Sequence, residues 1–142
     1  MKKIWNGKMA ILAALILWVG VVRCLTGCVQ NEAPEKLRDL DFTVVGDGEV
    51  PEELKKLIES KKAAPFKLTY SDGQGLYLVE GYGEQETGGY SIQVHQLYLT
   101  EESIVFDAEL MGPQAGEDGG TEKSYPYIVV KTEYLEHPVV FQ

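Results

Sequence analysis

Apolar residues over most of this chain recur with a period of two, which predicts β-strands. Phe66, Leu68 and Tyr70 alternate with polar residues. Residues 104–110 alternate strictly, and this predicts a half-buried strand. Residues 76–79 are wholly apolar and predict a strand buried on both faces. These segments indicate a domain built mainly from antiparallel strands.

Four further segments carry strand patterns, and one of them changes phase. The segments are 37–45, 90–99, 127–131 and 139–141. Within 90–99 the apolar positions switch register near His95, which predicts a β-bulge. A hairpin turn joins this strand to the next one.

One segment has the spacing of a helix, from Pro51 to residue 63 or 64. Proline suits the first turn, where its missing N–H would have no partner. Leu54, Leu57 and Ile58 form a narrow apolar stripe that can dock on a sheet. We therefore predict a mainly β fold with one helix (α+β), a small antiparallel β-sandwich or barrel-like domain over residues 37–142.

The N-terminus has a different character. Lys2, Lys3 and Lys8 precede an uncharged, largely apolar run, Met9–Val22. That run is shorter than the about 20 residues that a membrane-spanning helix requires. It is typical of the apolar region of a signal peptide, which we place at residues 1–27.

The last three residues of this segment together with the next residue, Leu25–Cys28, resemble a bacterial lipobox. The resemblance implies cleavage before Cys28, acylation of its thiol and a lipid-anchored protein of the bacterial cell envelope. Residues 28–36 would then be the lipidated cysteine and a tether. Arg23 interrupts the pattern, so an uncleaved N-terminal anchor helix is the alternative. Both readings place the domain outside the cytoplasm.

Removal of residues 1–27 makes the chain strongly acidic. All 22 acidic residues but only nine of the 13 basic residues follow Cys28, which leaves 13 excess negative charges. Such a surface excludes nucleic acid as a ligand and favours a basic partner or simple solubility. Cys24 would be lost with the signal peptide, so no disulfide is expected.

The sequence offers no recognisable catalytic or metal motif. His95 and His137 have no further ligand at metal spacing. The segment 89–93 begins like a nucleophile elbow but lacks its final glycine and leads into a strand. We therefore predict a protein that is not an enzyme and has no cofactor and no metal.

Two irregular segments stand out as candidates for binding. Two adjacent glycines at a strand entrance permit positive φ and close approach of another backbone. A neighbouring tyrosine supplies a rigid anchor of the kind found at interfaces. The segment 112–124 is a long acidic loop of the length that is often functional. The candidate binding residues are Thr87, Gly88, Gly89, Tyr90, Tyr125 and Tyr127. The alternative for the glycines is a simple tight corner with Tyr90 packed inward.

Residues 83–94, the Met-Gly-Pro at 111–113 and the Tyr-Pro-Tyr that opens 125–131 resemble the C-terminal domain of the PrcB-like family. The resemblance covers roughly residues 76–132. Members are called protease complex subunits. The resemblance implies a surface lipoprotein that associates with an exported serine protease.

Two other functions stay open. Residues 87–90 are similar to the Thr-Thr-Gly-Tyr loop of chagasin-type cysteine-protease inhibitors, although a glycine is added and Ile92 stands where a tryptophan is usual. That similarity implies a protease inhibitor. A cell-wall or small-molecule binding sandwich would instead use Tyr82, Tyr90 and Tyr125 as a stacking surface.

Overall fold

The computed structural model describes residues 33–142, which contain eight strands and one helix. The strands are β1 (Arg38–Asp39), β2 (Phe42–Val44), β3 (Pro65–Ser71), β4 (Leu76–Tyr82), β5 (Ser91–Leu99), β6 (Ile104–Met111), β7 (Tyr127–Thr132) and β8 (Val139–Phe141). The helix, α1, spans Glu52–Lys61. The predicted signal peptide and Cys28 lie outside the described residues. Within residues 33–142 no helix is both long and apolar enough to cross a bilayer.

The strands form two four-stranded sheets with the orders β1-β5-β6-β8 and β2-β7-β4-β3. Every pairing is antiparallel except β6 with β8, which is parallel. The sheets stay separate, so the fold is a sandwich rather than a closed barrel. The predicted mainly β fold with one helix is confirmed.

Two apolar cores lie on opposite faces of β4. Leu76 and Leu78 pack between the two sheets, together with Phe106 of β6. Tyr77 and Val79 point the other way, toward the helix. Because both faces of β4 are covered, an unbroken apolar run is the pattern that this strand requires, and the predicted two-sided burial is confirmed.

The helix docks through fewer residues than its sequence predicts. Leu54 and Ile58 are fully buried, and Val50 just before the helix completes the contact. Leu57 is 40% exposed, so its assignment to the docking stripe is wrong. Residues four apart lie along one line of a helix, and this helix meets the sheet along that line alone. The helix also ends at Lys61, earlier than predicted.

The predicted first strand, 37–45, is in fact two short strands in different sheets. β1 pairs with β5, whereas β2 pairs with β7. Leu40 lies between them, buried in the inter-sheet core, with its N–H donating to the Leu97 carbonyl at 2.9 Å. The chain therefore crosses from one sheet to the other at this point.

The bulge in β5 is confirmed, because the register with β6 shifts between Val94 and Gln96. The predicted half-burial of β6 is wrong at Val105, which is only 1% exposed. Val105 faces away from the inter-sheet core but lies between its cross-strand neighbours Tyr98 and Val140. Neighbouring side chains on one sheet face are close enough to cover it.

Candidate functional site

The end of β4 leads into a loop whose path is fixed against the start of β3. Gly83 has a φ of +75°, and a Cβ on it would lie 2.8 Å from the Pro65 ring. The next residue, Glu84, donates its N–H to the Ala63 carbonyl at 3.3 Å. Only glycine tolerates both the positive φ and the close approach of Pro65 at position 83 without strain.

This loop, 83–90, pairs with the second irregular segment, 112–125, and we call the two together the double loop. Gln85 and Ser124 exchange backbone hydrogen bonds of 2.8 and 3.0 Å. The N–H of Gly88 donates to the Gly119 carbonyl at 2.8 Å. Two segments that were predicted separately therefore form one connected surface at the end of the sandwich.

Close backbone approach in the double loop depends on glycine. A Cβ on Gly119 would lie 2.6 Å from the Gly88 carbonyl oxygen, a distance that no side chain tolerates. A Cβ on Gly88 would lie 3.1 Å from the Gly119 carbonyl oxygen. The sequence predicted that Gly88 and Gly89 admit another chain, and in the structure Gly88 admits a segment of the same chain.

Thr87 takes part in a hydrogen bond across the loops, through its backbone. Its carbonyl oxygen accepts from the Ser124 hydroxyl at 2.6 Å. The Thr87 hydroxyl itself lies close to Gly119. The cross-loop contacts thus order the segment that precedes Tyr90.

Tyr90 and Tyr125 are both half-buried members of the double loop. The Tyr90 ring lies beside Gly112. The Tyr125 hydroxyl donates to Glu84 Oε2 at 2.9 Å, and Lys62 Nζ lies 5.5 Å from its ring centroid. Each ring keeps part of its surface in solvent, and the hydrogen bond to Glu84 fixes the position of Tyr125, an arrangement that suits an interface anchor.

Charges also hold the double loop together. Glu84 pairs with Lys123 of the opposite segment. The hydrogen bond from Lys123, followed by that from Tyr125, lowers the pKa of the Glu84 carboxyl. The same pairing with Glu84 raises the pKa of the Tyr125 hydroxyl. Glu84 is therefore held as a carboxylate and links both segments.

Tyr127 lies apart from the other five candidate residues. It belongs to β7, packs against the helix-side core, and donates its hydroxyl to Asp47 Oδ1 at 3.0 Å. Burial, followed by the Asp47 hydrogen bond, raises the pKa of Tyr127 to about 12. The structure therefore unites Thr87, Gly88, Gly89, Tyr90 and Tyr125 in the double loop and places Tyr127 in the packing of the helix.

Tyr82 occupies a position that does not suit a stacking surface. Its hydroxyl donates to the Ala108 carbonyl of β6 at 3.0 Å and so joins the two sheets. Burial raises its pKa to about 12. This position leaves the alternative of a tyrosine platform of Tyr82, Tyr90 and Tyr125 without support from the structure.

Sequence reasoning missed Glu80, which lies at the end of β4 next to the double loop. Glu80 is only 5% exposed, and Lys67 of β3 lies 3.4 Å from its Oε1. Burial raises the pKa of this carboxyl, and Lys67 partly opposes the rise. One feature of the sequence could have indicated its burial. Glu80 directly follows the apolar run 76–79, in a strand that is predicted to be buried on both faces. Among residues 33–142, no cluster of metal-binding side chains is present.

The double loop and Glu80 both fall within the part of the chain that matches a known family. Residues 76–133 match the family model described as PrcB C-terminal. No significant match was found among curated proteins. Solved structures gave no significant match either. This match agrees with the resemblance to the PrcB-like family that the sequence predicts over residues 76–132.

Proposed function

We propose that this chain is a lipid-anchored, non-catalytic module that binds a protein partner on the outer side of a bacterial membrane, as an accessory subunit of an exported protease. The family match supports the broader context of a protease complex subunit. The observation that carries the binding role is the pairing of the two irregular segments into one ordered surface.

Preorganisation is the physical reason why this pairing favours binding. A flexible loop loses conformational entropy when it binds, which subtracts from affinity. The backbone bonds from Gln85 to Ser124 and from Gly88 to Gly119 order the double loop in advance. Tyr90 and Tyr125 are held on that ordered surface, half-exposed, where a partner can cover them.

Charge suggests what kind of partner would be attracted. The chain after Cys28 carries an excess of 13 negative charges. A partner with a basic surface would therefore associate faster at low salt, and added salt would slow the association.

The binding role is tested by recovering partners from detergent-solubilised envelope with tagged full-length protein. The double variant Gly88→Val, Gly89→Val should lose the partners that the wild type retains, because both changes push the two segments apart. A second, more conservative pair of variants lies within the segment 112–125. Gly119→Ala should lose the partners, whereas Gly112→Ala should keep them, because a Cβ at 112 has its nearest neighbour at 3.8 Å.

Equal recovery of partners by the wild type and both disruptive variants would overturn the binding role. Circular dichroism of each purified variant shows whether the sandwich itself is intact, so a loss of partners can be assigned to the double loop.

The lipid anchor has its own matched pair of variants. Cells fed a labelled fatty acid should incorporate the label into the wild type and into Cys24→Ser, but not into Cys28→Ser. Incorporation that survives Cys28→Ser, or its absence from the wild type, would contradict the anchor.

A protease inhibitor is the second candidate function, because the chagasin-like residues 87–90 lie on the ordered surface of the double loop. It predicts saturable inhibition of a papain-like enzyme by the full chain. An enzyme that keeps its full activity at micromolar concentrations of the chain would exclude it.

A further inference from the structure

The strand β5 has an unpaired edge next to the double loop. On that side, its one neighbour among the described residues is the two-residue strand β1, which lies opposite Leu99 and Tyr98. A last bond joins the Leu40 N–H to the Leu97 carbonyl, and the chain then crosses to the other sheet. Residues 91–96 therefore carry a free edge that begins where the double loop ends.

The register with β6 shows which backbone groups of β5 are free. The Phe106 carbonyl of β6 accepts a hydrogen bond on the β8 side, from the residue that follows β8. Successive residues of a strand direct their backbone groups to opposite sides, so Glu109, three residues later, bonds toward Gln93 of β5. Ile92 and Val94 consequently direct their N–H and C=O groups away from β6, toward the free edge.

The side chains beside this edge are apolar and incompletely covered. Ile92 and Val94 pack against the core between the sheets and are only partly buried. Val44 of β2 lies opposite Val130, a residue of the same core, and directly opposed residues share a sheet face. Val44 is nevertheless 56% exposed. The space between the sheets is therefore not closed on the side where β1 and β2 are the edge strands.

An extended segment that paired antiparallel with this edge, as β1 does, would satisfy both the backbone groups and the apolar side chains. The residue opposite Ile92 would exchange two backbone hydrogen bonds with it and would direct its own side chain between the sheets. The residue two positions away would do the same at Val94. Such a segment needs apolar side chains at alternate positions, since these enter the core.

The residue between those two would lie on the outer face, beside Gln93. Glu109 lies opposite Gln93 on the next strand, still on that face. The chain after Cys28 also carries 13 excess negative charges. A basic side chain is therefore favoured at the intervening position.

The edge of β3 is the competing site for an added strand, because β3 pairs with β4 alone among the described strands. That strand begins with Pro65, which has no N–H to donate, and continues with the charged residue Lys67. Proline and lysine are the residues that discourage pairing at an exposed edge. The edge of β5 at residues 91–94 carries neither residue.

We propose that the free edge of β5 receives an antiparallel, extended segment of the protein partner, with apolar side chains at alternate positions and basic side chains between them. This inference rests on the proposed protein-binding function and gives the form of the partner segment that lies beside the double loop.

The test measures binding of the fluorescein-labelled peptide Lys-Val-Lys-Val-Lys-Val-Lys-amide to the full-length chain in detergent, by fluorescence anisotropy. Two further peptides carry backbone N-methyl groups, one on two valines and the other on two of the lysines between the valines. The residues that enter the core are also those that donate to β5. The valine-methylated peptide should therefore bind roughly tenfold more weakly than the lysine-methylated one, the size expected for two lost backbone hydrogen bonds.

This comparison uses the wild type alone, so misfolding of a variant cannot imitate it. A matched pair of variants then locates the site. Val44→Ser should weaken binding of the unmethylated peptide by roughly threefold, because apolar contact is lost. Val140→Ser, on the edge strand β8 and 44% exposed, should leave it unchanged. A peptide with glutamate in place of lysine should bind less tightly than the lysine peptide.

Several results would overturn the inference. These are equal binding of the two methylated peptides, no measurable binding of any peptide at millimolar concentration, equal binding of the glutamate peptide, or equal effects of Val44→Ser and Val140→Ser. A dimer of the chain alone that the lysine peptide dissociates would also overturn it, because a second copy would then occupy the edge.

The peptide test is separate from the test of the proposed function. Gly119→Ala should remove partners from the envelope while it keeps the difference between the two methylated peptides. A failed peptide test would leave the result with envelope partners unaffected.

Discussion

The two halves of β4 lie in different surroundings. From Leu76 to Val79 each side chain enters an apolar core, alternately between the sheets and beneath the helix. From Glu80 onward the same strand carries a buried carboxylate, one oxygen of which has no hydrogen-bond partner among residues 33–142. It also carries a tyrosine that is hydrogen-bonded to the opposite sheet, and the chain then leaves the strand through Gly83 at positive φ.

This difference separates a half of the strand that builds the core from a half that departs from the pattern of a buried strand. The first half satisfies every local rule for a buried strand. The second half departs from those rules at Glu80, where a charged group is buried with one ion pair alone. Departures of this kind are expected at sites of function.

The largest predicted effect comes from a substitution in the first half of β4. Leu78→Ala removes a fully buried side chain from the inter-sheet core, and it should lower the free energy of unfolding by about 2–5 kcal/mol. Urea unfolding of the full chain measures this. Leu57→Ala on the exposed side of the helix is the control and should change it little. A loss below about 1 kcal/mol for Leu78→Ala would show that β4 is not the centre of the core.

A smaller effect is expected at the boundary between the halves. Gly81→Ala forces the Phe66 ring aside and should cost about 1–3 kcal/mol, as overpacking does. The cost should fall in a Phe66→Ala background, which a double-mutant cycle measures. Gly46→Ala, which has open space around it, should be almost neutral. If Gly81→Ala lowered the free energy of unfolding equally in both backgrounds, the Phe66 ring would not be in contact with position 81.

The second half should also show a distinct pH dependence. Burial raises the pKa of Glu80 above its ordinary value of 4.5. The folded state therefore holds this proton to higher pH than the unfolded state, and stability falls as pH rises through the window just above 4.5. Glu80→Gln should remove that loss from the curve of unfolding free energy against pH. A curve of unchanged slope in this window would show that Glu80 ionises as freely as an exposed glutamate.

The smallest effect concerns the double loop. Tyr125→Phe removes the hydrogen bond to Glu84 at an exposed site, so stability should change by less than about 1 kcal/mol. The pKa of Glu84 should move upward toward its ordinary value, although Lys123 still lowers it. A carboxyl titration followed by NMR measures the shift. An unmoved pKa would mean that the tyrosine hydroxyl does not reach Glu84 in solution.

Much of the fold could be predicted because it depends on local pattern. The apolar run 76–79, the alternation in β3 and the phase change near His95 each correspond to one strand and its own neighbours. The split of 37–45 between two sheets could not be predicted, since the residues carry one continuous pattern and the crossing at Leu40 depends on which strands lie nearby.

The candidate site was predictable only in part, for the same reason. Gly88 and Tyr90 stood out as residue types, but the partner of Gly88 is Gly119, which lies far away along the chain in a segment without periodicity. Tyr127 is of a residue type that often anchors interfaces, and yet it packs beneath the helix. Glu80 was missed because carboxylates are common in this sequence and its burial follows from the fold.

We propose the double loop as the surface that contacts a protein partner. Placing the photoreactive residue p-benzoylphenylalanine at position 90 and irradiating intact envelope tests it most directly. We expect a crosslinked protein from position 90 that is absent when the same residue replaces Leu57 on the exposed face of the helix. No crosslinked protein from position 90, or the same products from both positions, would contradict it.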